Sequence, residues 1–117
     1  MNEDFIDLLR SLQKEEARFL LVGAHAMAAY GVPRATGDID IWVAADEANA
    51  GRVFRALAQF GAPLQALGVS AADFSTRDTV VQIGLPPRRI DVLTGLTGVE
   101  FEAAWVRREV FDFSGLS

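Results

Sequence analysis

The chain has 117 residues, no cysteine, one histidine and a formal net charge of −5. That length suits one domain over 1–117, and a 50% hydrophobic content is enough to bury a core without staples. The absence of cysteine excludes disulfides, thiolate metal sites and cysteine nucleophiles; a single histidine excludes multi-histidine zinc sites; the acidic balance argues against nonspecific DNA binding, which needs a basic face.

Taken in chain order, Phe5, Ile6, Leu8, Leu9 and Leu12 recur at helical spacing and predict an amphipathic helix over 3–16. Arg18–Val22 is a short apolar run ending at Gly23 and predicts a buried strand. Ala24–Tyr30 is alanine-rich and predicts a short helix closed by Gly31, and the Pro- and Gly-containing stretch 31–37 predicts a loop. Asp38–Val43 alternates with period two and predicts a strand. A helix is expected over 46–59, with Asp46 and Glu47 in its first turn and Gly61 closing it. Residues 61–77 are ambiguous, read as loops and a short helix. Val80–Ile83 and Arg89–Leu93 predict two strands joined by a connection of hairpin length, 84–88. Phe101–Arg108 predicts a helix and Val110–Phe113 a last strand. The expected fold is α/β (α+β), a single small mixed sheet flanked by helices.

The sharpest chemical feature is Asp38-Ile39-Asp40. Residues two apart on a strand share a face, so both carboxylates project together while Ile39 and Ile41 point to the apolar side. Two such carboxylates repel unless a cation sits between them, and oxygen-only ligation suits Mg²⁺. The ordinary reading of an isolated Asp-x-Asp is a pair of solvated side chains at a strand edge. Asp91 lies between Ile90 and Val92, where a carboxylate is costly unless paired or metal-bound. A simple pairing with Arg89 or Arg34 explains it equally. Should the two strands be neighbours, three carboxylates meet, as in phosphoryl and nucleotidyl transfer. Upstream, the strand–Gly23–helix unit offers backbone N–H groups to a phosphate, although a lone glycine there is weak evidence beside an ordinary tight turn. Arg34 and Thr36, in the loop before Asp38, are within reach of the same place or simply hold the loop. His25 reads more readily as a surface imidazole than as a catalytic one, and Trp42 as core packing before base stacking.

Together, Val22-Gly23-Ala24-His25 through Tyr30-Gly31-Val32-Pro33-Arg34-Ala35-Thr36-Gly37-Asp38-Ile39-Asp40-Ile41 resembles the signature of the DNA polymerase β-like nucleotidyltransferase superfamily. In that pattern an apolar strand leads to Gly-Gly or Gly-Ser, a short helix follows, and the next strand carries Asp-x-Asp. The Arg-x-Thr-x-Asp-Ile-Asp version is similar to small bacterial members related to AbiEii abortive-infection toxins and to the minimal nucleotidyltransferases of toxin–antitoxin pairs. The resemblance spans about residues 17–93, and its composite motif is far more specific than either half.

The resemblance implies a polymerase β palm-like nucleotidyltransferase fold. Asp38, Asp40 and Asp91 are implied as catalytic residues and Mg²⁺ ligands (Mn²⁺ as a substitute), with Asp91 helping to activate the attacking hydroxyl. Gly23, Ala24, Arg34 and Thr36 are implied in nucleotide binding. The implied reaction is in-line attack on the α-phosphate of a nucleoside triphosphate, pyrophosphate leaving, with NMP passing to a protein or RNA hydroxyl. The acceptor implied is a cognate toxin or antitoxin or an RNA; the acidic surface disfavours tRNA. Two departures stand out. Ala24 occupies a position where the family has Gly or Ser, and the chain stops soon after its last predicted strand, where relatives continue into a basic helical segment; a shortened C-terminus is the expectation. These departures favour a second reading, a nucleotide- or partner-binding module without transfer. The acidic start Met1-Asn2-Glu3-Asp4 lacks secretory character, and the apolar stretches Phe19–Ala29 and Ile39–Ala45 fall short of the roughly 20 residues of a membrane span, so a soluble cytoplasmic protein is expected, with no membrane partner.

Overall fold

The computed structural model describes residues 3–22, 39–84, 89–95 and 100–106. Within them the chain forms α1 (Glu3–Lys14), β1 (Phe19–Val22), β2 (Ile39–Val43), α2 (Glu47–Phe60), a 3₁₀ turn (Ala71–Phe74), β3 (Val80–Ile83), β4 (Ile90–Leu93) and α3 (Phe101–Val106). The expected short helix over 24–30, the loop 31–37, the end of the last helix and the strand Val110–Phe113 lie outside the described residues. The fold is a mixed α+β domain whose described residues hold one four-stranded sheet and three α-helices.

The sheet runs β1-β2-β4-β3. β1 pairs antiparallel with β2, β2 parallel with β4, and β4 antiparallel with β3. The parallel pair needs a long crossover, which α2 and the 3₁₀ turn supply. The hairpin β3–β4 then brings the chain back from the edge into the middle.

Side-chain alternation divides the strands into two faces. One face is apolar throughout: Ile39, Ile41, Val43, Val81, Ile83, Ile90 and Val92 are buried, with Phe19 and Leu21 packed beside them. α1 sets Phe5, Leu8, Leu9 and Leu12 against this face, and α2 sets Ala50, Val53, Ala56 and Leu57. Their spacing is the helical period read from the sequence. Phe74 of the 3₁₀ turn is fully buried in the same core.

Local chemistry fixes the helix ends. α1 stops at Lys14 rather than 16, because Glu16 adopts a left-handed φ of 58°. Asp46 caps α2 by accepting a hydrogen bond from the Asn49 N–H at 2.8 Å. Gly61 ends α2 at φ 100°, where a side chain would be strained, and its N–H reaches the carbonyls of Leu57 and Ala58. Asn49 is buried and fully engaged. Its Oδ1 accepts from the Arg18 N–H at 2.6 Å, and its Nδ2 donates to the carbonyls of Arg18 at 3.1 Å and Ala44 at 3.0 Å. One amide thus ties α2 to the start of β1 and the residue following β2.

Candidate functional site

The second face of the sheet is built in two rows. The first row runs Leu20, Trp42, Leu93, Val80 across the four strands; the next runs Val22, Asp40, Asp91, Gln82. The strand register alone creates this division.

The first row is covered by α3. Phe101 and Ala104 pack with Leu20, Val22, Trp42 and Leu93. The Phe101 ring meets Trp42 edge-on at 5.1 Å and stacks with Trp105 at 5.8 Å. Arg18 holds the outer side: its guanidinium lies 5.7 Å from the Phe101 centroid and 5.8 Å from that of Trp105. It also donates to Glu102 through both terminal nitrogens, once at 3.1 Å, and to Asp46 at 3.4 Å. The Glu102 carboxylate raises the Arg18 pKa above its ordinary value, so this charge is permanent at any pH of interest. Trp42 is only 3% exposed, so it serves the packing role and not the base-stacking one.

The second row carries the polar groups. Asp40 and Asp91 are direct partners on parallel neighbouring strands. Both are almost fully buried, at 1% and 2% exposure. Adjacent strands lie about 4.8 Å apart, and two like charges at about 5 Å repel by roughly 3 kcal/mol at an effective dielectric near 20. Such a pair therefore calls for positive charge. Arg89 supplies some: its Nε donates to Asp91 Oδ1 at 2.9 Å and its Nη2 to Oδ2 at 3.1 Å. This is the fork-on-carboxylate geometry that arginine favours. It is also the plain pairing that the sequence allowed for Asp91. Beside Asp91 on the edge strand, Gln82 places an exposed amide in the same row.

Of the three carboxylates expected to meet, two are therefore together and Asp38 lies outside the described residues. Gly23, Ala24, His25, Arg34 and Thr36 lie outside them as well. Among the described residues no group of three His, Asp or Glu side chains is gathered as a metal site. The donors present nonetheless suit a hard divalent cation: they are oxygens only, carboxylate in type, in register and shielded from water. Arg89 and Gln82 were not named as site residues from sequence. The Arg-x-Asp spacing is a signal for Arg89, since it puts both on one face of the chain; Gln82 becomes a neighbour only through the register of β3.

An open, mainly apolar depression of about 590 Å³ lies elsewhere, lined by Phe54, Ala58, Ala62, Pro63, Leu64, Gln65 and Ala66 at the end of α2. It sits on the side of the sheet away from the carboxylates. No helix among the described residues is long and apolar enough to cross a membrane. Comparison of the chain with protein-family models, with curated proteins and with solved structures finds no match.

Proposed function

We propose that the chain is a Mg²⁺-dependent nucleotidyltransferase of the polymerase β-like type, transferring NMP from a nucleoside triphosphate to a hydroxyl of a protein or an RNA. The observation that carries this reading is the in-register pair Asp40–Asp91 on parallel strands, one strand of which begins directly after Asp38. Asp38, Asp40 and Asp91 are the proposed metal ligands. When bound, the metal supplies charge to the phosphates and to the departing pyrophosphate. The protein residues hold and shield. The apolar row of Trp42 and Leu93 closes one end of the carboxylate row and keeps water from it. Gly23 and Ala24 are proposed to present backbone N–H groups to the triphosphate, with Arg34 and Thr36 beside them. A cognate toxin or antitoxin, or an RNA, is the proposed class of acceptor, and the cytoplasm the proposed location.

The second reading, a nucleotide- or partner-binding module without transfer, is favoured by one observation: the Arg89 fork already occupies both oxygens of Asp91. The deciding experiment measures the shift in Tm on adding ATP, CTP, GTP or UTP, with and without Mg²⁺, for the wild type, Asp38→Ala and Asp40→Asn. A metal-dependent rise of several degrees, lost in both variants, is expected for the shared site. Transfer of an α-³²P label onto protein or RNA then separates catalysis from binding alone. No shift with any nucleotide defeats the transferase reading and nucleotide binding alike, and leaves a partner-binding module.

A further inference from the structure

We propose that Arg89 is a resident cation that competes with a divalent ion for Asp91, so that metal entry loosens the guanidinium fork. This inference rests on the nucleotidyltransferase reading and concerns how its site is regulated.

The argument starts from charge. Asp40 and Asp91 face each other inside the protein, between strands whose flanking residues Ile39, Ile41, Ile90 and Val92 are apolar. Burial of carboxylates without counter-charge is strongly unfavourable. At Asp91 the protein's own guanidinium supplies that counter-charge, engaging both oxygens at once. A hard divalent ion needs the same oxygens at about 2.1 Å. With the fork in place both oxygens carry a cation, and a second one would stand against the first. Each oxygen keeps a further lone pair, but the two positive charges repel, so each cation weakens the hold of the other.

Exposure shows which partner yields. The Asp91 side chain is 3% exposed and fixed in the middle of β4, whereas that of Arg89 is 22% exposed and precedes the strand. The Arg89 main chain is anchored separately, its carbonyl accepting from the Ile39 N–H at 3.0 Å. The guanidinium can thus swing towards solvent without disturbing the β2–β4 pairing. A freed arginine at the rim of the carboxylate row is then placed to meet the anionic phosphates that arrive with the metal, which makes ion entry and triphosphate capture parts of one exchange.

The test is Mn²⁺ binding at fixed ionic strength, read by electron paramagnetic resonance of the free ion, for wild type, Arg89→Met, Arg89→Lys and Asp91→Asn. Removal of a bidentate charged partner is expected to tighten Mn²⁺ binding about tenfold in Arg89→Met. Arg89→Lys, which keeps the charge and loses the fork, is expected to fall between. In the wild type the Arg89 Nε–H resonance is expected to move as Mg²⁺ is added. If Arg89→Met binds Mn²⁺ no more tightly than wild type while Asp91→Asn loses the ion, the competition is refuted and the metal site stands. If neither wild type nor Arg89→Met binds Mn²⁺, the nucleotidyltransferase reading fails and this proposal with it. Should Arg89→Met lack native far-UV circular dichroism, Arg89→Lys and the wild-type resonance decide: affinity equal to wild type with an unmoved resonance refutes the competition.

Discussion

The two faces of the sheet are made from the same four strands but obey different rules. The face under α1 and α2 is apolar from edge to edge, and two long helices cover it with buried Phe, Leu, Val and Ala. The opposite face is divided: one row is apolar and carries α3, a helix of six residues with none of them fully buried, and the other row is Asp40, Asp91 and Gln82. Apolar packing is concentrated on the first face and the buried carboxylates on the second. A residue's place in the two-residue alternation decides which it serves.

Substitutions can break this contrast in graded ways. Leu57→Ala on α2 is expected to do the most damage, because Leu57 is 1% exposed within the larger core. A loss of about 2–5 kcal/mol should appear in urea unfolding. Glu102→Gln on α3 should cost only a few tenths of a kcal/mol globally, as an exposed ion pair does. Its effect is expected to be local, seen as faster amide hydrogen exchange in α3 with that of α1 and α2 unchanged; equal acceleration everywhere would remove the distinction between the faces.

The smallest effect concerns pH. Arg55, hydrogen-bonded to Glu15 at 3.0 Å, and then Gln59 at 2.7 Å, hold the Glu15 carboxyl below its ordinary pKa. A lowered folded-state pKa favours the folded form above the ordinary carboxylate range. That contribution is lost as pH falls through the lowered value. Glu15→Gln should therefore narrow its stability difference from wild type as pH falls from 7 towards 3, measured by the urea midpoint. A difference that is unchanged across this range would mean that the pair does not couple α1 to α2.

Much of the first face was legible in the sequence and less of the second. The period of Phe5, Leu8, Leu9 and Leu12 gave α1, and Asp46 with Gly61 bounded α2 to within a residue. The end of α1 was misplaced by two residues because a glutamate, with no glycine to signal it, takes the left-handed conformation at Glu16. The short helix expected within 61–77 is the 3₁₀ turn at 71–74; its place was not readable because it hangs on a single buried ring, Phe74, and on the Asp73 carboxylate accepting from the Ser70 N–H at 2.8 Å. Such features are too short to leave a period. At the site, the alternation of Asp40 with Ile39 and Ile41 was readable, as was the cost of Asp91 between Ile90 and Val92. The adjacency of β2 and β4 was only a condition, since parallel pairing is non-local and register is not written in either strand alone. For the same reason the sequence leaves both Arg34 and Arg89 as partners of Asp91; the fork shows Arg89 in that role.

The aromatic ladder above the first row has a practical consequence. The chain has 2 tryptophans, Trp42 and Trp105, and both belong to this one cluster with Phe101 between them. Intrinsic fluorescence is therefore a one-sided witness: it reports the seating of α3 and says little of the core beneath α1 and α2. A melt followed by emission and by far-UV circular dichroism has two different subjects in this molecule. The gap between the two midpoints is a direct measure of how far one side loosens before the whole gives way.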